Sequence, residues 1–522
     1  MAGRALRDAQ TVASVPIIAT RRHALLSEVA VGVLIAGALT FFFARTKADP
    51  DLWGHLRFGL DSLATGHVVR PDTYSYVTGD QQWVNHEWLA EALTAVAYTF
   101  AGASGLIALK ILLLLLVAAI VYAHLRHSDV AAGGAALLLV PLFATLLPWT
   151  GSLRPQLFSY LGFAVILSIL IRAEKSSTRW LWWAPPVFGL WVNLHGGFLA
   201  GLAFVLLWAA LHVVFGWRPV TRRWQPVSLR AIGPALAVTI FATLMNPYGM
   251  DLLVFLQTAF TPRSEIAEWH PLHPIAAEGI GYVVMLVLST IGFVRSRRRP
   301  RPALVALLIA TALLPLTARR HLPLFGIAWA LIAGEHIANA WPRLLAGSST
   351  RSPRRSAWVL PLAIGLAALA IATPRMKAIE VDGGFFPVRA VELIKESGIE
   401  GRLAVAFDWG EYALWHLSPG LKVSEDGRRE TVYSDAVYAE SVDFIYGTGD
   451  WDRLLRRGAD VVLVSRQFPV YNLMKLEPGW SLVYEDDVAA VFAPAGSSAI
   501  ARLSAIAGGQ PHGPDTTTHT FP

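Results

Sequence analysis

The segment Asp49-Pro50-Asp51-Leu52-Trp53-Gly54-His55-Leu56-Arg57 brings together two carboxylates, an imidazole and a guanidinium directly after an apolar run, Ala30 to Ala44. Charged groups where a chain leaves a bilayer are costly unless they do chemistry, bind something or reach water. Helix capping accounts for one acid: Asp49 as N-cap with Pro50 in the first turn. Asp51 is then a candidate general base or metal ligand.

The rest of the same loop adds His55, Asp72, His86 and Glu87. Folded back against Asp51 they would form a polar pocket, although Glu87 also suits the first turn of a helix. In Trp191-Val192-Asn193-Leu194-His195-Gly196-Gly197-Phe198, Asn193 and His195 either serve a glycine turn or face the same pocket. Glu268, in Ser264-Glu265-Ile266-Ala267-Glu268-Trp269-His270-Pro271, is a candidate third carboxylate. Arg154, Arg319 and Arg320 adjoin the ends of apolar runs. Snorkelling to headgroups would explain them, and so would pairing with an anionic ligand such as a lipid phosphate.

These groups need a frame. The chain has 522 residues, 54% hydrophobic and 16% charged, where a soluble protein has roughly a quarter charged. Its apolar residues cluster in runs near the ~20 needed to span a bilayer. Eleven candidate spans follow: His23–Ala44, Ser104–His124, Ala131–Trp149, Pro155–Arg172, Trp180–Asn193, Gly196–Phe215, Ala231–Met245, Gly279–Val294, Pro302–Thr317, Leu322–Ala340 and Ala357–Thr373. The net charge of +7 resides largely in short loops between spans, such as Arg295-Ser296-Arg297-Arg298-Arg299-Pro300-Arg301. That is a topology signal and not a nucleic-acid footprint. With residues 1–22 as a cytoplasmic tail, basic loops 217–230, 295–301 and 342–355 all fall inside. The first loop, 45–103, and everything after Thr373 then fall outside. The absence of cysteine excludes disulfides and thiolate metal sites.

Leu52, Leu56, Leu60 and Leu63 repeat at helical spacing, predicting an amphipathic helix over Asp51–Ala64 that lies on the membrane surface and ends at Gly66. A second helix is expected over Trp83–Phe100. Beyond the multi-span domain 23–373, residues 374–495 read as an extracytoplasmic α/β domain. It has a helix at Pro387–Ser397, strands at Arg402–Phe407 and Ala459–Ser465, and a hairpin around Glu485-Asp486-Asp487. Residues 496–522 read as a disordered tail.

Taken in order, these motifs resemble the GT-C class of membrane glycosyltransferases. The Asp49–Arg57 segment is similar to the first outer loop of archaeal oligosaccharyltransferase catalytic subunits, and Glu268 matches their late outer-loop glutamate. Phe407-Asp408-Trp409-Gly410-Glu411-Tyr412 resembles a degenerate form of their Trp-Trp-Asp-Tyr-Gly motif. The plan also resembles enzymes that use polyprenyl-phosphate sugars. The resemblance implies an α-helical polytopic GT-C-like fold in the cytoplasmic (inner) membrane. It also implies inverting transfer from a polyprenyl-phosphate-linked donor to a glycan, lipid or protein acceptor on the outer face. Asp51, Asp49, Glu87 and Glu268 are then the catalytic candidates, and Arg154, Arg319 and Arg320 bind the donor phosphate. His55, His86, Asn193 and His195 position substrates. A divalent cation (Mg or Mn) on Asp51 and Glu268 is the alternative to arginine. The second outer loop, Pro148-Trp149-Thr150-Gly151-Ser152-Leu153-Arg154, has no Asp-X-Asp and carries Arg154 instead. A transporter or lipid scramblase and a non-catalytic GT-C-like assembly subunit are the rival readings.

Overall fold

Among the described residues six helices are long and apolar enough to cross a bilayer: Leu25–Phe43 (α1), Trp88–His127, Ala132–Trp149, Gln156–Lys175, Arg319–Ala340 and Val359–Met376. The computed structural model describes residues 23, 25–79, 81–217, 227–259, 267–345, 358–509 and 517–522. The tail 1–22 and the loop arginines 218, 222, 223, 351, 354 and 355 lie outside the described residues. Six of the eleven expected runs are full-length helices among the described residues. Phe198–Val214, Arg230–Ala242, Gly279–Arg295 and Pro302–Leu316 are shorter apolar helices. The Trp180–Asn193 run is shorter still: a 3-10 segment, Thr178–Trp183, precedes an eight-residue helix, Ala184–Trp191, with Pro185-Pro186 at its start. Proline there removes backbone donors and sets a new helix start.

The loop helix α2 spans Asp51–Thr65 and stops at Gly66, whose φ of 73° is left-handed. It does not lie on a surface, as its leucine spacing suggests. Leu52, Trp53, Leu56 and Phe58 are each at most 1% exposed, whereas Leu63 is 47% exposed. The burial comes from layers on two sides: helix Trp88–His127 (α3) and the C-terminal helix Phe407–Leu417. Trp53 packs edge-on against Phe386 and Tyr412, with ring centroids 4.7 and 4.9 Å away. The expected helix Trp83–Phe100 begins only at Trp88, leaving Trp83 to Glu87 outside it; from there it and the expected span Ser104–His124 are two arms of α3, bent at Ala101 and Gly102, where Gly102 adopts φ 56°.

The C-terminal part is built on a five-stranded sheet in the order β3-β2-β4-β6-β5, with β2 Gly401–Val405, β3 Leu421–Val423, β4 Val461–Ser465, β5 Trp480–Glu485 and β6 Ala489–Pro494. β2 is parallel to β3 and β4, and the β5–β6 hairpin adds antiparallel to β4. The strand expected over Arg402–Phe407 is β2 and stops at Val405; Phe407 opens the helix instead. The outer loop joins the sheet: Tyr76 N–H donates to the Val423 carbonyl (3.1 Å) and Val423 N–H to that of Tyr74 (3.2 Å), covering the β3 edge.

The tail expected to be disordered contains helix Ser498–Ala507 and strand β7 (His519–Thr520), which pairs antiparallel with β1 (Glu380–Val381). Residues 510–516 lie outside the described set. Phe521 then inserts beside Trp53, 5.3 Å between centroids. An apolar anchor of this kind supplies the burial that the tail composition alone does not promise.

Two contacts fasten the membrane helices to this layer. A Cβ on Gly37 of α1 would lie 2.2 Å from the Gly365 carbonyl oxygen, so the backbones of α1 and helix Val359–Ala372 touch. Beyond their ends, Glu380 N–H donates to the Thr46 carbonyl (2.9 Å) and Ala48 N–H to the Glu380 carbonyl (2.8 Å).

Candidate functional site

The loops at one end of the helix bundle and the underside of the α/β layer enclose a cavity of about 1140 Å³. Asp51, His55, Arg154, His195, Glu268 and Arg320 all face it.

Asp51 opens α2, and Pro50, not Asp49, holds the N-cap position without a side-chain cap. The capping role expected for Asp49 is therefore absent: its carboxylate is drawn to Arg154 Nε instead. The same guanidinium lies 3.2 Å from Asp51 Oδ2 and 3.9 Å from Glu268 Oε2. Arg320 completes the group 3.4 Å from Glu268 Oε1, with its guanidinium 4.4 Å over the Trp269 ring. Arg319 lines the same wall. Behind them buried Lys110 donates to Thr46 Oγ1 (2.7 Å) and to the Thr150 carbonyl (3.1 Å), tying the loops that carry Asp49 and Arg154.

Burial raises the Asp51 carboxyl to about 6, although Arg154 pulls it down; Asp49 and Glu87 add to the rise. Arg154 is held well above its ordinary value, first by the Asp49 charge. A divalent cation between Asp51 and Glu268 does not fit this geometry, because the Arg154 guanidinium already sits between them. Among the described residues, no three His, Asp or Glu side chains are grouped to hold a metal ion.

Three imidazoles surround Glu87, which precedes α3. His86 Nε2 is 3.5 Å, His195 Nε2 3.6 Å and His55 Nδ1 4.0 Å from its carboxylate. Burial alone would lower His55; its hydrogen bond to Glu91 (3.2 Å) and the charges of Glu87, Glu91 and Asp51 prevail and push it up to about 9. His195 goes the other way. Burial, then the neighbouring charges of His86, Arg320 and His55, hold it well below its ordinary value. Its Nδ1 accepts from Gly197 N–H at 2.9 Å, which fixes the ring as a neutral imidazole. Asn193 does not join the pocket. Its amide donates to the Gly189 and Met245 carbonyls (2.9 and 2.8 Å) and accepts from Trp88 Nε1 (2.9 Å), so its polar atoms are spent on the turn.

Asp72 is also diverted. It is fully buried, 2.9 Å from Arg428 Nη1, and accepts from Thr78 Oγ1 (2.7 Å). Arg428 forms a bidentate pair with Asp426 (2.9 and 2.7 Å) and lies 4.8 to 5.0 Å over the rings of Phe58, Tyr74 and Trp83. This clasp joins the outer loop to the α/β layer.

Sequence reasoning did not single out the acids that the α/β layer contributes. Glu411 is buried, accepts from Gly54 N–H at 3.0 Å, and is raised well above its ordinary value by burial, then by the Asp51 and Asp426 charges. A Cβ on Gly54 would lie 2.2 Å from the Glu411 carboxyl, and one on Gly427 2.9 Å from Asp51 Oδ1. Both glycines therefore let Glu411 and Asp51 sit flush. The Asp-Trp-Gly-Glu-Tyr string at a strand-to-helix turn carried the one available signal, through resemblance alone.

No protein-family model matches the sequence, and no curated protein matches it. Solved structures do. ArnT from Cupriavidus metallidurans bound to undecaprenyl phosphate superposes with TM-score 0.55 at 13% identity, over 90% of this chain and 98% of that one. The Archaeoglobus fulgidus oligosaccharyltransferase in its apo form gives TM-score 0.54 at 12% identity, over 90% of this chain and 75% of that one. The arabinofuranosyltransferase AftD from Mycobacteria gives 0.52 at 16%, over 90% of this chain and 42% of that one. These neighbours are GT-C glycosyltransferases, and the likeness is one of fold.

Proposed function

We propose that this protein is an inverting glycosyltransferase of the cytoplasmic membrane. It would move a sugar from a polyprenyl-phosphate-linked donor to an acceptor hydroxyl on the outer face. The observation that carries this reading is the arginine shared by Asp49, Asp51 and Glu268 at the mouth of a cavity roofed by the α/β layer. Undecaprenyl phosphate in the ArnT neighbour supports a lipid phosphate as the donor's carrier. In this orientation the N-terminus is cytoplasmic, residues 23–373 form the membrane domain and residues 374–495 an extracytoplasmic domain.

The chemistry follows from the groups present. The acceptor oxygen bonds to the sugar C1 while the C1–O bond to phosphate breaks, its electron pair leaving on the phosphate oxygen. The acceptor proton passes to Asp51, whose carboxyl near 6 is a competent base at neutral pH. Arg154, Arg319 and Arg320 meet the charge that develops on the phosphate, in place of a metal. Glu87, with His55 cationic and His195 neutral around it, orients the substrates from the membrane side.

The test is release of free polyprenyl phosphate from a sugar-loaded carrier by purified protein in liposomes. Asp51→Asn is expected to lose about 10²–10⁴-fold in transfer rate, while still binding undecaprenyl phosphate. An Asp51→Asn protein as active as the parent would end this reading.

A further inference from the structure

A second chemistry occupies the α/β side of the cavity, apart from Arg154, Arg319 and Arg320. Glu425 follows β3 and is only 1% exposed, yet it lines the cavity wall. Among the described residues neither of its carboxyl oxygens makes a hydrogen bond of full geometry, and the Ser441 hydroxyl beside it, its one polar side-chain contact of that kind, makes no other. Native proteins rarely leave buried polar groups unmade unless something else satisfies them. Burial pushes the Glu425 carboxyl up to about 8, with Asp426 opposing the modest help of Ser441 and Arg429. At neutral pH it is a protonated acid, able to donate and accept at once.

Rings line the cavity together with these groups. The Arg429 guanidinium caps one face of Tyr438 at 3.6 Å, and Tyr446, itself 54% exposed, meets Phe468 at 5.7 Å. All four residues line the same cavity. Neutral donor–acceptor groups between aromatic faces suit a molecule with many hydroxyls and apolar C–H faces. They do not suit an extended peptide, which would need a row of backbone partners. Gly427, two residues beyond Glu425 and so within about 7 Å of chain, is the residue whose Cβ would crowd Asp51. The wall that carries Glu425 therefore runs on towards Asp51, which lines the same cavity.

We propose that the Glu425–Ser441–Tyr438 wall is a carbohydrate subsite, which makes the acceptor a glycan hydroxyl. This deepens the transferase reading above and rests on it.

The test uses the full chain in nanodiscs with two probes. Saturation-transfer NMR reads binding of neutral tetrasaccharides of glucose, mannose, galactose and arabinose, with an Asn-Ser-Thr peptide as competitor. Native mass spectrometry reads binding of undecaprenyl phosphate. At least one tetrasaccharide should bind, weaken tenfold or more in Glu425→Ala and Ser441→Ala, and recover to within threefold in Glu425→Gln. Undecaprenyl phosphate binding should stay unchanged throughout, which also certifies that the variants fold. Saccharide binding that is absent, that ignores both alanine variants, or that yields to the peptide would overturn the subsite. Loss of undecaprenyl phosphate binding in the parent, with saccharide binding intact, would instead remove the transferase reading.

Discussion

Asp51 and Arg154 set each other's charge, and that makes them testable by pH. Asp51 is raised to about 6, so transfer should fall as pH drops through 6 and the base becomes protonated. Arg154 favours the ionised form, so Arg154→Gln should move this acidic limb upward as well as slow the reaction; a pH–rate profile with an unmoved limb would contradict the pairing. The stability sign follows from the same shift. A carboxyl with a folded pKa above its unfolded 3.8 costs stability once ionised, and that cost disappears as pH falls from 6 towards 4. Asp51→Asn should therefore leave Tm at pH 7.5 equal or raised, with the gain vanishing by pH 4. A helix-capping Asp51 would give the opposite, a lowered Tm at neutral pH.

Between elements, the Arg428 clasp carries the sharpest expectation. It joins Asp72 from the outer loop to Asp426 after β3, and all three are nearly or fully buried. Arg428→Ala would strand two carboxylates away from water, a loss on the order of 3–5 kcal/mol. Thermal unfolding of the full chain should show it, and Arg428→Lys should not recover it, because one ammonium cannot reproduce the forked pair. A Tm within one or two degrees of the parent would refute the clasp. The limits of the sequence lie at this same scale. Asp51, Arg154 and Arg320 could be picked out because each follows or precedes an apolar run whose end the bilayer fixes, and Glu268, in the middle of a loop, through its resemblance to a late outer-loop glutamate. Helix α2 was legible in length from Pro50 and Gly66, but its burial was not, since the layer above it is encoded some 350 residues later: Gly54 and Glu411 are 357 positions apart. Glu425 and Arg428 gave no local signal for the same reason. Asn193 and Asp72 show the converse. Their residue types suited a pocket, and only the partners at hand reveal that the fold consumes them.

For the whole molecule, the proposed function depends on two layers meeting at a set height, since Asp51 belongs to the loop following α1 and Glu411 to the layer following helix Val359–Ala372. The remote end of the bundle is laced separately, with Lys175 and Arg298 both reaching Glu335 at 2.6 and 3.4 Å. At the near end, the bare contact of Gly37 with Gly365 and the short ladder from Thr46 to Glu380 make the two exits one stalk. No part of the cavity touches those glycines, yet an isoleucine in place of Gly365 would act as a doorstop in the hinge of a lid. It should pry the roof from the floor and abolish turnover while every group that does chemistry stays intact. Crosslinking between cysteines placed at Thr46 and Glu380 would restore the alignment if the stalk is what keeps it.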